Sequence, residues 1–364
     1  MRRLLRIGEP APWFLGLNAQ NPRYAFDSIA GRWIVLLFFG TRAAPGAEAA
    51  LQFAATKQAL LERHKSLFFG VSIDPRDAES RDLASMLPAE SFFWDFDRNI
   101  SNLYGTFEGD HYYPAAFLID PALRIAAVES MSGAERIWAR FAALAEAEQD
   151  FREKLSAPVL VVPRIFPPEL CQALIAHYGA VGPFRSGVMR EIDGKTVGVH
   201  DDNFKRRKDV VIQDEALRRQ AHLHIASNLL PMVERSLQWK CTRIERNLIA
   251  CYRADDLGFF SAHRDNTTSG TAHRKFAVSV NLNADDYDGG DLCFPEFGAR
   301  TYRAPTGGAV VFSCSLLHEV KPVTRGDRYA FLPFLYDEDG ALIREKNLGA
   351  MAGAAAGDKT SPRA

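Results

Sequence analysis

The sequence predicts two unlike halves: an α/β layer, then an α+β unit built on an antiparallel sandwich or jelly roll. Three observations predict this. Unbroken apolar runs alternate with helical stretches through the first half. Short alternating strands separated by Gly and Asp turns fill the second. Between them, Ala157-Pro158 interrupts a helix rich in Ala and Glu. The expected domains are therefore 1–156 and 157–345, followed by a disordered tail over 346–364, where Gly and Ala dominate.

In the first half, Ile34-Val35-Leu36-Leu37-Phe38-Phe39 is an apolar run without a polar break. Such a run fits a central strand covered on both faces. Residues 47–64 read as helical, 66–73 as a second buried strand, and Asp74-Pro75 as a turn. A helix over 77–86, an extended piece at 92–95, strands at 115–120 and 126–129, and a helix from Ser132 to about Leu155 complete an α/β alternation.

In the second half, Val159–Val162 reads as a strand. Pro167-Pro168-Glu169 opens a helix, since proline is tolerated in the first turn. Residues 188–202 form a hairpin turning at Asp193-Gly194. The basic run 204–209 reads as a solvated edge, or as a rim that receives an anionic substrate. Asp214 caps a helix reaching Gln238, with a kink at Pro231. Residues 244–252 form one strand. In 274–282, Phe276, Val278, Val280 and Leu282 face one way and Ala277, Ser279 and Asn281 the other. Strands at 291–294, 309–313 and 328–336 follow.

The chemistry gathers in this last stretch. His263 and Asp265 form an H-x-D pair, and His318 follows a long interval later. Two imidazoles and a carboxylate make the facial triad that holds non-haem Fe(II) and leaves positions open. Residues two apart on a strand point the same way, so His263 and Asp265 are expected to reach one ion, with His318 arriving from another strand. Arg328 shares a strand face with Ala330, Leu332 and Phe334. Residues 266–273 read as a polar loop, a candidate lid. His177, His200, His222, His224 and His273 read as structural.

With these residues in place, the second half resembles the 2-oxoglutarate/Fe(II)-dependent dioxygenase superfamily, in its prolyl-4-hydroxylase-like branch. The resemblance rests on Tyr252, His263-Arg264-Asp265, Leu282-Asn283, Gly289-Gly290-Asp291-Leu292-Cys293-Phe294, Gly308 with Phe312, His318-Glu319-Val320, Val323 and Gly326-Asp327-Arg328-Tyr329. It spans about residues 158–340. It implies a double-stranded β-helix (jelly roll) core and an oxidoreductase that uses Fe(II), O2, 2-oxoglutarate and ascorbate. His263, Asp265 and His318 would hold the metal. Arg328, with a hydrogen bond from Tyr252, would hold the far carboxylate of 2-oxoglutarate. A peptidyl or amino-acid side chain would be hydroxylated, with release of succinate and CO2. An Asp at 265, rather than Ala or Gly, argues for hydroxylation over halogenation. The alternative is an iron- and 2-oxoglutarate-binding sensor or interaction protein without turnover.

The first half resembles the thioredoxin-like fold, in its peroxiredoxin branch. The carrying residues are Gly8, Pro10-Ala11-Pro12-Trp13-Phe14, Phe38-Phe39, Val71-Ser72-Ile73-Asp74, Tyr104-Gly105 and Tyr113-Pro114 before Phe117-Leu118-Ile119-Asp120. The resemblance implies a cis bond before Pro114 and a catalytic cysteine just after Phe39. Residues 40–48 contain no cysteine, and peroxidase chemistry needs a thiolate. The expectation is a scaffold, a substrate-docking platform or a homodimer contact.

Composition narrows the partners. A formal net charge of −1 gives no basic excess of the kind nucleic-acid binding needs. No apolar run is long enough to span a bilayer, and Met1-Arg2-Arg3 leads into no signal sequence. The five cysteines lack zinc-type spacing, which fits reduced thiols and a cytoplasmic location. The expected substrate is a protein or a small molecule, with neither nucleic acid nor membrane involved.

Overall fold

A computed structural model describes residues 4–192 and 194–348. The chain divides into two compact units, Met1–Leu155 with Pro295–Gly298, and Ser156–Phe294 with Ala299–Ala364. The sequence reading had placed 295–298 in the second half.

The first unit is a five-stranded sheet flanked by helices. Its strands are β1 (Ile34–Gly40), β2 (Leu67–Ser72), β3 (Phe92–Trp94), β4 (Ala115–Ile119) and β5 (Ile125–Ser130), in the order β3-β2-β1-β4-β5. β1 is buried along its whole length, pairing parallel with β2 and antiparallel with β4. Side chains of α1 (Ala47–Ala55) and α2 (Arg136–Ala147) close one core over it, with Trp33, Leu51, Ile137 and Phe141 buried. The helix expected over 47–64 is broken between Ala55 and Gln58, so the last turn stands as a separate helix, Gln58–Arg63. The described residues contain no cis peptide bond, which corrects the expectation for Pro114.

The second unit begins with β6 (Leu160–Val162), α3 (Pro168–Val181), β7 (Phe184–Arg185) and the hairpin β8 (Val188–Ile192) and β9 (Lys195–Val199). Asp193 of its expected turn lies outside the described residues. There follow β10 (Lys205–Arg206), β11 (Lys208–Val211), α4 (Glu215–His224) and α5 (Leu230–Leu237). Asp214 caps α4 through the amides of Ala216 and Leu217. A π-helical turn, Ile225–Leu229, separates α4 from α5 and absorbs Pro231 in the first turn of α5.

The strands of the two main sheets that follow are β12 (Arg243–Glu245), β13 (Leu248–Arg253), β14 (Phe259–His263), β15 (Phe276–Asn281), β16 (Leu292–Cys293), β17 (Thr301–Tyr302), β18 (Ala309–Ser313), β19 (His318–Val320), β20 (Asp327–Phe331) and β21 (Phe334–Tyr336), and a short pair joins Asp288–Gly289 to Val323–Arg325. The strand expected over 244–252 is two strands, interrupted at Arg246, whose φ is +72°. The last helix, α6 (Glu338–Asn347), includes Lys346 and Asn347, which the sequence reading assigned to the tail. Residues 349–364 of that tail lie outside the described residues.

A nine-stranded sheet runs β6-β18-β15-β20-β13-β11-β7, with β21 pairing β15 and β12. A five-stranded sheet runs β10-β14-β19-β16-β17. Alternation decides what each face of the large sheet meets. Val278, Val280, Ile249 and Phe331 join a core with Leu170, Leu174, Ala221 and Val233 of the helices. From the same strand β15, Ser279 and Asn281 instead line a cavity with Leu292 and Tyr302 of the small sheet. The rings of Phe312 and Phe294 meet at 5.1 Å between the sheets. Among the described residues no helix is long and apolar enough to cross a membrane, and the five cysteines are buried and form no disulfide.

Candidate active site

His263 ends β14, His318 opens β19, and the two are direct partners across this antiparallel pair. A register shift between Phe260 and His263 brings them opposite each other. Asp265 lies just past the end of β14, in a turn rather than on the strand as expected. Its amide donates to the Cys314 carbonyl at 2.9 Å, and this bond places the carboxylate. His263 Nε2 stands 3.6 Å from Asp265 Oδ1, and His318 Nε2 stands 3.3 Å from Oδ2. One ligand atom from each of the three residues falls within 4.8 Å of the others.

The hydrogen bonds on the far side of each ring fit a metal. The Nδ1–H of His263 donates to the Ser261 carbonyl at 2.7 Å, and that of His318 to the Leu316 carbonyl at 3.0 Å. Each bond fixes the tautomer and leaves the Nε2 lone pair facing the shared point. Phe260 stacks on His263 with centroids 3.5 Å apart, holding its plane. Burial, with His263 close by, pushes His318 down to about 4, so its imidazole is neutral near pH 7. Burial would raise the Asp265 carboxyl, but His318 and His263 outweigh it and hold it well below the usual carboxylate range. Two imidazoles and an ionised carboxylate are the donor set a hard-to-borderline divalent ion takes.

Arg328 is 4% exposed and is the cross-strand partner of Tyr252. Its Nη2 donates to Ser279 Oγ at 3.0 Å, while its Nε and Nη1 are buried without a partner. Arg328 lines a small pocket with Ser279, Asn281, Tyr287 and Tyr302. A buried guanidinium left in that state costs several kcal/mol, which a carboxylate in the cavity would remove. Gly290 makes room for it: its φ is +68°, and a Cβ there would lie 2.8 Å from Val323 Cγ2 and 3.1 Å from Arg328 Cδ. Tyr252 presents its ring to Arg328, with Cζ 5.1 Å from the centroid, while its hydroxyl accepts from Arg207 Nη1 at 3.3 Å.

The run 204–209 is not a solvated edge. Lys205, Arg207 and Asp209 are 4%, 5% and 2% exposed. Arg207 grips Asp209 with two bonds of 2.7 and 2.8 Å. Ser186 Oγ donates to Asp209 and accepts from Arg207 and from Lys205 Nζ. Only the alternate residues of the run point inward, the signal that the sequence reading missed.

The loop expected to be a lid is pinned. The Ser269 amide and hydroxyl donate to Glu191, the Gly270 amide to Thr196 Oγ1, and Asn347 Nδ2 to the Ser269 carbonyl. His273 donates to Glu245 at 2.9 Å rather than joining the triad. His200 is exposed.

Residues 248–336, which include all of these ligands, match the family model of the 2OG-Fe(II) oxygenase superfamily. Residues 7–128 match that of the AhpC/TSA family. The chain carries a 2OG-Fe(II) oxygenase domain behind an AhpC/TSA-family domain. The oxygenase domain is similar to a PKHD-type hydroxylase of Synechococcus sp. (strain JA-2-3B'a(2-13)), 31% identical over 127 residues, covering 32% of this chain and 54% of that protein. A PKHD-type hydroxylase of Verminephrobacter eiseniae (strain EF01-2) is 28% identical over 178 residues, 42% and 76% of the two chains. The match thus spans about half the length of the first of these relatives. Among solved structures, a prolyl hydroxylase from Trichoplax adhaerens is 18% identical, covering 54% of this chain and 94% of its own, with a TM-score of 0.41. Mycobacterium tuberculosis AhpC is 20% identical, covering 40% and 97%, with a TM-score of 0.32.

The AhpC/TSA-family domain has no cysteine anywhere before Cys171. After β1, Thr41 Oγ1 instead donates to Asp74, and the Arg42 amide to Asp77.

Proposed function

We propose that the chain is a 2-oxoglutarate- and Fe(II)-dependent dioxygenase that hydroxylates a peptidyl or amino-acid side chain. The observation that carries this is the convergence of His263, Asp265 and His318, together with a buried Arg328 whose Nε and Nη1 have no partner among the described residues. We infer that the two sheets of the second unit form a double-stranded β-helix, with residues 157–345 as the oxygenase domain. His263 Nε2, His318 Nε2 and an Asp265 oxygen would hold the metal. Arg328, steadied by the Tyr252 ring and Ser279, would pair with the far carboxylate of 2-oxoglutarate. Bound iron supplies the activation of O2, one atom of which goes to 2-oxoglutarate, giving succinate and CO2, and the other to a substrate C–H. The residues at hand fix the ligand tautomers, neutralise the cosubstrate and keep the cavity closed by side chains. The AhpC/TSA-family domain, having no thiol to oxidise, serves in this reading as a docking or assembly element.

The test is succinate release from 2-oxoglutarate with Fe(II) and ascorbate, together with mass spectrometry of treated cell extract for products one oxygen heavier. Release should require Fe(II) and vanish in His263→Ala; release that persists in that variant would falsify the reading. Binding of metal and 2-oxoglutarate with no product from any extract would favour a sensor instead. Arg328→Met should weaken 2-oxoglutarate by roughly 30-fold or more, the cost of removing one partner from a buried charge pair. An unchanged KM for 2-oxoglutarate would place the cosubstrate elsewhere.

A further inference from the structure

Arg246 sits between β12 and β13 with φ at +72°, a conformation that costs a side chain of this size energy and is tolerated only where the surroundings enforce it. Its side chain is 27% exposed, and its guanidinium donates no hydrogen bond among the described residues. Its nearest carboxylate oxygen, Asp209 Oδ2, is 3.9 Å away and already serves Arg207 and Ser186. The other nearby carboxylate, Glu245, is taken by His273 and Arg274.

Phe334 and Arg274 connect the guanidinium to Asp265. Arg246 and Arg274 both lie over the Phe334 ring, 5.2 and 4.0 Å from its centroid. Arg274 Nη1 reaches the Asp265 carbonyl at 3.5 Å. Burial and the like charge of Arg207 push Arg246 down to about 10, with Asp209 and Asp265 among the charges opposing that. With Asp265 committed to a metal, Arg207 and Arg246 share Asp209, and Arg274 and Arg344 share Glu245, among the described residues. Even with Lys205 neutral, which its burial favours, one positive charge is left over beside Asp209, and it is the one without hydrogen bonds.

We propose that Arg246 receives a carboxylate of the substrate, so that the enzyme acts on an acid-bearing amino acid or peptide. This rests on the oxygenase reading and names its substrate class. A planar guanidinium backed by an aromatic ring and partly open to solvent suits a two-point bond to a carboxylate. The adjacent Arg207–Asp209 and Arg274–Glu245 pairs keep neighbouring carboxylates from competing for it.

The test is calorimetric titration of the full chain, loaded with Mn(II) and saturated with 2-oxoglutarate. The probes are N-acetyl amino acids, each as the free acid and as the primary amide. At least one acid should bind tenfold or more tightly than its amide. Arg246→Asn removes the charge with a residue that accepts positive φ, and should bring that pair within twofold. Arg246→Lys should retain part of the preference. Acids and amides that bind alike, or not at all, overturn the proposal, as does a preference that survives Arg246→Asn. A chain that fails to take up 2-oxoglutarate with Mn(II) sinks the oxygenase reading and this one with it. A chain that takes it up and ignores the acids sinks only this one.

Discussion

His318→Ala should abolish Fe(II)-dependent succinate release and weaken Mn(II) binding by more than the roughly 10–100-fold that losing an outer hydrogen-bond partner of a ligand costs. The reason is geometric. His318 enters from a different strand than His263, and its Nε2 is 3.3 Å from the Asp265 oxygen on the side away from His263. Without it, two ligand atoms remain on one edge of the site. The ring is also packed, 4.5 Å from Phe312 and 4.3 Å from His263 by centroid, so no neighbour slides in to replace it. His200→Ala removes an exposed imidazole and serves as the control. Equal Mn(II) affinity in wild type and His318→Ala, by titration, would rule out the triad.

Asp209→Asn should be the most damaging single change to stability outside the apolar cores. It leaves Arg207 buried without its carboxylate, at a cost of about 3–5 kcal/mol, or on the order of 10 °C in midpoint for a domain of this size. The effect has a pH signature. Burial would raise the Asp209 carboxyl, but Arg207 outweighs it and the folded value lies below the ordinary one. The contribution is therefore fully present above the unfolded value of about 4 and is lost as pH falls through the lower folded value. Thermal scans at pH 7 and pH 3 should show the gap between wild type and variant narrowing in acid. A gap that is absent at pH 7, or the same at both, would contradict the buried-pair account.

The cluster of His263, Asp265 and His318 was legible in the sequence because ligand chemistry resides in residue type: an H-x-D pair and a distant His flanked by short strands. Arg328 was legible because a lone cation among Ala330, Leu332 and Phe334 demands an anion. The central strand of the first unit was legible from its unbroken apolar run, though the breaks in its helices were not. Partners remote in sequence hid the rest. The cage around Lys205 and Arg207 is made by Ser186 and Tyr252, 21 and 45 residues from Arg207, so the basic run looked like a solvated edge. The 266–273 loop looked free because Glu191, which ties it down, lies 78 residues from Ser269. The positive φ of Arg246 carries no sequence mark, since the residue that usually announces one is glycine.

Tyr252 has one further consequence. Its ring lies under Arg328 and its hydroxyl accepts a hydrogen bond from Arg207, so one side chain touches both cations. Neutralising the inner cation relaxes like-charge repulsion that the outer one also feels. A ligand that neutralises Arg328 is therefore expected to be felt at the Arg207–Asp209 cage. By thermodynamic reciprocity, whatever factor one ligand changes in the affinity of another is returned, a ratio that titrations with and without 2-oxoglutarate measure directly.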